Sequence, residues 1–490
     1  MMTKTAHARD IESLPGLTGV PILGSLPDVA RDPIRLFERA ADLGGDAALL
    51  RFGPYRYLVL HTPEGVRHVL VENAKAYLKS PSYRGLKLVL GNGLVTSEGA
   101  FWKRQRKLAQ PAFHRERLAA LADTMVRGTA DMIAQWEREG DMTFDLHDAM
   151  MRLTLRIVSR TLFSTDVEGN AGAVGAAFKI AIHRANDEAT SVLHLPIWLP
   201  LPKNVRFRRA LRTLDTLVHR IIADRRALPE SERPEDLLSM FMSARDDEDG
   251  AGMSDQQLRD EVMTIVGAGH ETTANALAWT FYSLGDHPEI AERVSQEARE
   301  TLGERAPTVE DLPRLAFTKR VLEEAMRLYP PAWSIERLAA EDDLVHGIRV
   351  PKGTVVGIMP WCIHRDPRFW PDPQRFDPDR FLPEAVAARP RYAYLPFGAG
   401  PRVCIGNGFA MMETQLLLAM IARRFHFERA PWHRVELDPS VTLRPKDGLR
   451  MVRRTRATDR PVRTDGLAGR EAHCFATDPA AARGARTDLP

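Results

Sequence analysis

The sequence predicts a mainly α-helical fold with small β-sheets, organised around one long central helix. Apolar residues recur at helical spacing over several long stretches, and short Val- and Ile-rich runs beside turn residues predict strands. The longest helical pattern begins after Ser254, which forms a capping box with Gln257, and it continues to Leu284. About 30 residues at 1.5 Å per residue give a rod of roughly 45 Å, long enough to cross the whole protein.

Length and composition limit how the chain is organised. The 490 residues suit one large domain or two ordinary ones. Because no internal repeat or clear linker divides the chain, we place a single domain at residues 13–455. Residues 1–12 are polar, and residues 459–490 contain one aromatic residue among Ala, Arg, Asp and Gly. Both compositions predict disordered ends, because neither segment has enough apolar residues to form a core.

Charge and cysteine content exclude several classes of protein. A formal net charge of +3 is too small to argue for nucleic-acid binding. Three cysteines, an odd count in a long chain, argue against a disulfide framework and for a reducing compartment. No apolar stretch is long enough to span a bilayer, and the N-terminus lacks the apolar segment of a signal peptide. We therefore expect a cytoplasmic protein with no integral membrane segment, and we expect it to be a monomer.

The remaining elements follow from local patterns. Alternating runs around Gly53-Pro54 predict a hairpin of residues 47–52 and 55–60, and Pro351-Lys352-Gly353 predicts another of residues 344–350 and 354–359. Residues 82–99 are predicted to form a loop, and residues 193–202 an apolar connector broken by prolines. Further helices are predicted at residues 118–136, 146–163, 171–189, 205–226 and 315–328.

A loop rich in Gly and Pro carries the most informative cysteine, Cys404. An apolar run at helical spacing starts at Phe409, so Cys404 precedes a helix N-terminus, where the macrodipole favours a thiolate. The glycines at positions 398, 400 and 406 allow tight turns and let the backbone press against a flat group. A thiolate held in this way is a nucleophile or a metal ligand.

Several interpretations of Cys404 compete. It could be a buried structural cysteine. A nucleophilic cysteine needs a nearby His base, which the loop lacks, and structural zinc needs further Cys or His at short spacing, whereas Cys362 and Cys474 are distant. A single thiolate on one face of a haem fits a lone cysteine with Arg402 beside it and a platform of glycines.

The middle of the long helix carries a second unusual pattern, Gly267-Ala268-Gly269-His270-Glu271-Thr272-Thr273. Two glycines inside a helix cost about 1 kcal/mol each relative to alanine, and they leave room for a bulky flat group and a small ligand. The Thr272 hydroxyl can open the helix hydrogen bonds and host water, and Glu271 can supply a proton to it. A helix kinked for packing is the alternative. A zinc-protease motif is excluded because Ala274 stands where the second His would be.

Two shorter patterns are weaker on their own. Trp102 and Arg106 share one helical face and could hold a carboxylate, although a solvated basic helix is the alternative. Glu324 and Arg327 can pair three residues apart, but an exposed pair of this kind is common and contributes little.

Taken together and in this order, the motifs resemble those of the cytochrome P450 family over about residues 13–455. The loop before Cys404 matches F-x-x-G-x-R-x-C-x-G at every fixed position, and residues 268–273 match A-G-x-E-T-T. Glu324 and Arg327 match the E-x-x-R pair of the family. Residues 378–381, Pro-Asp-Arg-Phe, resemble its meander motif, with Asp in place of the commoner Glu.

The resemblance implies a triangular, α-rich prism in which the long helix lies over haem b (iron protoporphyrin IX). Cys404 is then the axial ligand of the iron, Thr272 holds the distal oxygen with its water, and Glu271 relays protons. The implied structural triad is Glu324, Arg327 and Arg380. The implied haem-binding residues besides Cys404 are Trp102, Arg106, Arg337, Phe397, Arg402 and Gly406.

The resemblance also implies the reaction and the partners. The protein is expected to insert one oxygen atom of O2 into a C–H or C=C bond of a lipophilic substrate such as a terpenoid, fatty acid or steroid. A ferredoxin or flavodoxin with its NAD(P)H reductase supplies electrons, and the basic residues Lys103, Arg104 and Lys107 are a candidate docking patch. The candidate pocket residues are Leu88, Val89, Val266, Ala268, Ala332, Trp333, Ile335 and Thr442.

Two other functions belong to different classes. One is a haem-thiolate peroxygenase or isomerase that needs no reductase, and the other is a non-catalytic haem sensor. The adjacent acid and alcohol of Glu271 and Thr272 argue against both, since they serve the use of O2.

Overall fold

Helices form most of the structure, as the spacing of apolar residues predicts. The computed structural model describes residues 8–164, 171–191, 195–245, 250 and 252–456. Of the two ends predicted to be disordered, residues 1–7 and 459–490 lie outside the described residues. The helices of the described part are α1 (Leu26–Arg31), α2 (Pro33–Asp42), α3 (Pro63–Arg67), α4 (Tyr83–Leu90), α5 (Gly99–Ala109), α6 (Arg115–Glu139), α7 (Leu146–Phe163), α8 (Ala171–Thr190), α9 (Pro202–Ala227), α10 (Leu237–Ser243), α11 (Asp255–Asp286), α12 (Pro288–Leu302), α13 (Ala316–Leu328), α14 (Pro360–Ile363), α15 (Pro383–Ala388) and α16 (Asn407–Arg424).

The strands form small sheets beside the helices. They are β1 (Arg9–Asp10), β2 (Ala47–Phe52), β3 (Tyr55–Leu60), β4 (Tyr77–Lys79), β5 (Met142–Asp145), β6 (Ile335–Ala339), β7 (Asp343–Val345), β8 (Ile348–Val350), β9 (Val355–Ile358), β10 (Phe425–Arg429), β11 (Leu437–Pro439), β12 (Leu443–Pro445) and β13 (Arg450–Thr455). The largest sheet has the order β2-β3-β9-β6-β4. Smaller sheets have the orders β1-β8-β7, β10-β13-β5 and β11-β12.

The long helix α11 is the element on which many of the others pack. The Ser254 hydroxyl accepts the Gln257 N–H at 3.2 Å, and the Gln257 side chain accepts the Ser254 N–H at 2.7 Å, which confirms the predicted capping box. Most of its 32 side chains are buried, and it contacts α7, α9, α13 and α16. None of the helices in the described ranges is both long and apolar enough to cross a bilayer.

Two predicted elements are wrong. Residues 82–99 contain the helix α4 and the start of α5 rather than only a loop. The predicted hairpin about residues 351–353 does not form. Strand β8 instead pairs with β7, and His346 and Gly347 form the turn between them, while β9 lies between β3 and β6 in the larger sheet. His346 and Gly347 have φ of 47° and 75°, as a two-residue hairpin turn requires. All four residues of β9 are buried, which suits the interior of the larger sheet.

Residues 8–12, which belong to the predicted disordered end, are packed against the rest of the fold. Strand β1 pairs in parallel with β8, and the Ile11 side chain is only 1% exposed. The Glu12 carboxylate accepts hydrogen bonds from Arg51 and Arg56, each at 2.7 Å. Residues 8–12 are therefore not disordered, because sheet pairing and one buried apolar side chain hold them on the core.

A buried ion pair joins α13 to the chain before the cysteine loop. Arg327 donates from Nε and Nη2 to both carboxylate oxygens of Glu324 at 2.7 Å, and neither side chain is exposed. Its other N–H groups reach the carbonyls of His364, Pro373 and Arg375. The third predicted member, Arg380, lies with Nε 3.5 Å from Glu324 Oε1. The pair is thus fully buried rather than exposed.

We predict that Arg327→Met destabilises the fold by about 3–5 kcal/mol, because it leaves the Glu324 carboxylate buried without its partner. Burial already raises the pKa of Glu324, and the Arg327 guanidinium opposes that rise. The free energy of unfolding, measured by denaturant titration, tests this. Lys319→Met is a matched control on the same helix, since Lys319 pairs with Glu323 at the surface, and we expect a loss below about 1 kcal/mol. Equal losses in the two variants would contradict the prediction.

Candidate active site

A cavity of about 1500 Å³ lies inside the fold, and both unusual sequence patterns line it. Cys404, Phe397 and Gly406 line it from the cysteine loop. Ala268, Glu271, Thr272 and their neighbours line it from the middle of α11. The long helix and the cysteine loop, which lie more than 100 residues apart in sequence, therefore face one space.

The cysteine loop is shaped by backbone contacts. The Cys404 N–H donates to the Phe397 carbonyl at 2.9 Å, which closes the loop just before α16 begins at Asn407. Gly400 has φ of 68°, and a Cβ atom there would overlap the carbonyl of Leu70. Only glycine allows both this conformation and this approach, so Gly400 seats the loop against the segment that contains Leu70. Arg106 of α5 donates to the carbonyl of Val403 at 2.8 Å.

The Cys404 sulfur faces the cavity rather than the core. The residue is enclosed by the fold yet is exposed to the cavity. Burial raises the pKa of the Cys404 thiol, and this outweighs the Gly406 N–H and the Arg106 charge, which lower it. The N–H at the start of α16 therefore favours a thiolate, but burial has the larger effect on the pKa of the free thiol. A bound metal cation is what stabilises a thiolate in such a place.

Among the basic side chains that line the same cavity are four that we call the cation cluster: Lys79, Arg106, Arg337 and Arg402. Arg402 donates to Glu98 at 2.6 Å, and its guanidinium carbon lies 3.8 Å from the centre of the Trp102 ring. Trp102 thus stacks on Arg402, and both Trp102 and Arg106 line the cavity. Burial, together with Arg337 and Arg402, lowers the pKa of Lys79 well below its usual range.

Sequence reasoning missed Lys79. It stands opposite Arg337 in the register of β4 with β6. Its ammonium lies 4.3 Å from the centre of the Tyr83 ring. Since strand register cannot be read from either strand alone, the local pattern gave no signal for this residue.

The lining fits a haem. The sulfur of Cys404 is open to the cavity, and a Cβ atom at Gly406 would lie 3.9 Å from that sulfur, so glycine leaves space beside it. The cation cluster suits the carboxylates of the porphyrin, because such carboxylates need charged donors when they leave water.

The centre of α11 stays helical through both threonines. The Thr272 hydroxyl donates to the Ala268 carbonyl at 2.7 Å, and the Thr273 hydroxyl donates to the Gly269 carbonyl at 2.9 Å. The predicted opening of the helix at Thr272 is therefore absent, because its hydroxyl bonds to the preceding turn. Glu271 is 4% exposed and accepts a hydrogen bond from the Thr442 hydroxyl at 2.5 Å.

Five of the eight predicted pocket residues line the cavity: Ala268, Ala332, Trp333, Ile335 and Thr442. The other three, Leu88, Val89 and Val266, do not. Val89 and Val266 are buried in the large core cluster, and Leu88 packs against it. Because residues 83–90 form a helix, Leu86 and Leu90 share the face that lines the cavity. Ile265 lines the cavity in place of Val266.

Carboxylates of α11 hold the segment that follows α4. Asp260 accepts the N–H of Asn92 at 2.8 Å, and Glu261 accepts the N–H of Leu94 at 3.0 Å. Leu94 itself lines the cavity. This wall of the cavity is therefore attached to the first third of α11.

The α-rich fold, the cysteine open to a large cavity and the cation cluster together define a haem-thiolate type of site. A family model described as Cytochrome P450 matches residues 14–449. The chain belongs to the cytochrome P450 family, and its enzyme class is that of a haem-dependent monooxygenase.

Relatives and a solved structure agree with this assignment. The chain is similar to cyclooctatin synthase of Streptomyces melanosporofaciens, at 41% identity over 437 residues, which cover 89% of this chain and 94% of the relative. It is 35% identical over 427 residues to pentalenene oxygenase of Streptomyces avermitilis, with 87% and 92% covered. The haem domain of cytochrome P450DA has a TM-score of 0.83 at 26% identity and covers 93% of this chain and 99% of that structure. The predicted fold class and enzyme class are confirmed.

We predict that Glu261 makes stability depend on pH. Burial raises the pKa of its carboxyl to about 7, above the value of roughly 4.3 in an unfolded chain. Between these values the folded protein binds one more proton than the unfolded chain, so the free energy of unfolding falls as pH rises. Glu261→Gln keeps an oxygen acceptor and removes the titration. The free energy of unfolding of Glu261→Gln, relative to that of the parent, should therefore rise by up to about 3 kcal/mol from pH 5 to pH 8.

Denaturant titrations at the two pH values measure this difference. The exposed Glu289→Gln at the start of α12 is the control for loss of one carboxylate. A difference between Glu261→Gln and the parent that is the same at pH 5 and pH 8 would contradict the prediction.

Proposed function

We propose that the protein is a haem b monooxygenase that inserts one oxygen atom of O2 into a C–H or C=C bond of a terpenoid. The observation that carries the proposal is the cavity that Cys404 shares with Glu271 and Thr272. The mainly apolar lining supports a lipophilic substrate. The names cyclooctatin synthase and pentalenene oxygenase favour a terpenoid over a fatty acid or a steroid.

The side chains of the cavity have separate tasks in this proposal. Cys404 binds the iron through its thiolate, and the cation cluster holds the haem carboxylates. When bound, haem supplies the iron centre at which O2 is activated for transfer of one oxygen atom. The apolar wall that includes Leu86, Leu90 and Ile335 positions the substrate and excludes water.

Thr272 and Glu271 handle protons. The Thr272 hydroxyl now bonds to the Ala268 carbonyl, and when it turns from that carbonyl it orients a water molecule in the cavity. Glu271 adjoins Thr272 on α11 and lines the same cavity, so its carboxyl group can pass a proton to that water.

We also propose that a ferredoxin or flavodoxin, reduced by an NAD(P)H reductase, delivers the electrons. Lys103 and Lys107 of α5 border a shallow groove together with Trp102, Arg106 and His114. Trp102 and Arg106 also line the main cavity, so the groove and the haem site share side chains. A basic groove at this place suits an acidic protein partner.

Replacement of the proposed iron ligand tests the function. We predict that Cys404→Ser loses the thiolate signature in the spectrum of the reduced carbon monoxide complex and loses oxygenase activity. Cys362→Ser is the control, since Cys362 lies on α14 outside the cavity lining, and it should keep both. In the parent, terpene hydrocarbons and alcohols should shift the ferric spin state more than fatty acids of equal carbon number. A parent spectrum that survives Cys404→Ser would refute the proposal.

Loss of the Thr272 hydroxyl should separate electron use from product formation. We predict that Thr272→Ala still shows the substrate-induced spin shift but that many of the electrons from NAD(P)H reduce O2 to hydrogen peroxide instead of supporting product formation. Thr280→Ala is the matched control, because the Thr280 hydroxyl makes the same bond on the same helix, to Ala276 at 2.6 Å, outside the cavity lining. The ratio of product to NAD(P)H measures the effect. An unchanged ratio in Thr272→Ala would exclude the proton role.

A further inference from the structure

The carboxylate of Glu271 is held by the last hairpin of the fold, formed by β11 and β12. The Thr442 hydroxyl donates to Glu271 Oε1 at 2.5 Å, and Arg444 Nη1 lies 3.5 Å from the same oxygen. Glu271 is 4% exposed and Arg444 is 6% exposed. Both contacts reach Oε1, and Glu271 lines the cavity.

Arg444 is itself fixed from two further sides. Its Nε donates to Asp438 Oδ2 at 2.9 Å, and these two residues stand opposite each other in the β11–β12 register. Its Nη2 donates to His183 Nε2 of α8 at 2.8 Å. Because a guanidinium only donates, His183 Nε2 is the acceptor, and burial with the charge of Arg444 lowers the pKa of the imidazole. The guanidinium therefore connects α8, the hairpin and α11 at one point.

Thr442 is fixed in a similar way. Its hydroxyl oxygen accepts a hydrogen bond from Asn275 Nδ2 at 3.2 Å, and the amide oxygen of Asn275 bonds to His147 Nε2 at 2.8 Å. Because that amide oxygen only accepts, His147 Nε2 is the donor, and burial lowers the pKa of the imidazole. The Thr442 proton is thereby directed toward Glu271, because its other partner is a donor.

The same hairpin forms part of the cavity wall. Residues 437–442 all line the cavity, whereas Arg444 lies behind them. A substrate that fills the cavity therefore contacts β11 and Thr442, one of the two partners of Glu271, but not Arg444. Thr442 and Arg444, which orient the Glu271 carboxylate, therefore lie outside the family motif around residues 268–273.

We propose that Arg444 is a positioning residue for the proton source: with Thr442 it fixes Glu271 so that Oε2 serves the cavity. This inference rests on the proposed function. Without the guanidinium, the Glu271 carboxylate turns away from its place and delivers protons poorly. Substrate binding should change little, because Arg444 does not line the cavity.

A double-mutant cycle with Glu271→Gln tests the inference. We expect Arg444→Met to lower the ratio of product to NAD(P)H by about tenfold, with peroxide as the alternative product. In the Glu271→Gln background, Arg444→Met should lower that ratio no further. The substrate concentration for a half-maximal spin shift should change less than twofold. Arg444→Lys, which keeps the charge, should recover part of the ratio.

Two further variants provide a second test of the contact and a control for changes in the hairpin. Thr442→Val removes the other partner of Oε1 and should act in the same direction, even if Arg444→Met folds poorly. Glu436→Gln is the control, since it breaks the exposed pair with Lys446 on the same hairpin without touching Glu271.

The outcomes separate the two proposals. Equal effects of Arg444→Met in the parent and in the Glu271→Gln background would show a purely structural role and overturn this inference alone. A parent enzyme that holds haem and accepts electrons but oxidises no terpenoid would overturn the proposed function instead. The free energies of unfolding of the same four proteins test the contact between Arg444 and Glu271 independently of activity. Additive losses of stability in the double variant would contradict that contact.

Discussion

The position of the Cys404 sulfur depends on one close approach between backbones. Gly400 lies against the carbonyl of Leu70 in a conformation with positive φ, and the N–H of Cys404 closes the loop onto Phe397. No side chain fits between the loop and the chain at Leu70. The sulfur is consequently fixed by main-chain geometry rather than by packing of its own side chain. The cation cluster and the middle of α11 surround the cavity that this sulfur faces.

Buried charged and titratable side chains hold several pairs of segments that are distant in sequence in fixed positions relative to each other. The pair of Glu324 and Arg327 secures the chain that leads to the cysteine loop, and every nitrogen of the guanidinium has an acceptor. Asp260 and Glu261 secure one wall of the cavity to α11. A buried polar or charged group without partners is costly, so an arrangement that breaks one of these contacts is disfavoured.

The fold class and the motif residues of the site could be predicted from the sequence. The site residues that the sequence did not predict have a common cause. Cys404 and Glu271 stand in motifs in which neighbours along the chain carry the signal. Lys79 and Arg444 owe their places to strand register and to a hairpin contact across the fold, which no local pattern encodes. Leu88 was expected in the pocket because residues 82–99 were expected to be a loop, and a helix there presents a different face.

The attachment of residues 91–94 to α11 limits how related chains can be recombined. A Cβ atom at Gly91 would overlap the Asp260 carboxylate, and one at Gly93 would overlap the Thr264 hydroxyl. The glycines and the acidic turn of α11 therefore form one unit although about 170 residues separate them in sequence. A chimera that exchanges substrate-facing segments between family members must transfer both halves together, since either half alone brings a mismatched surface into the wall of the cavity.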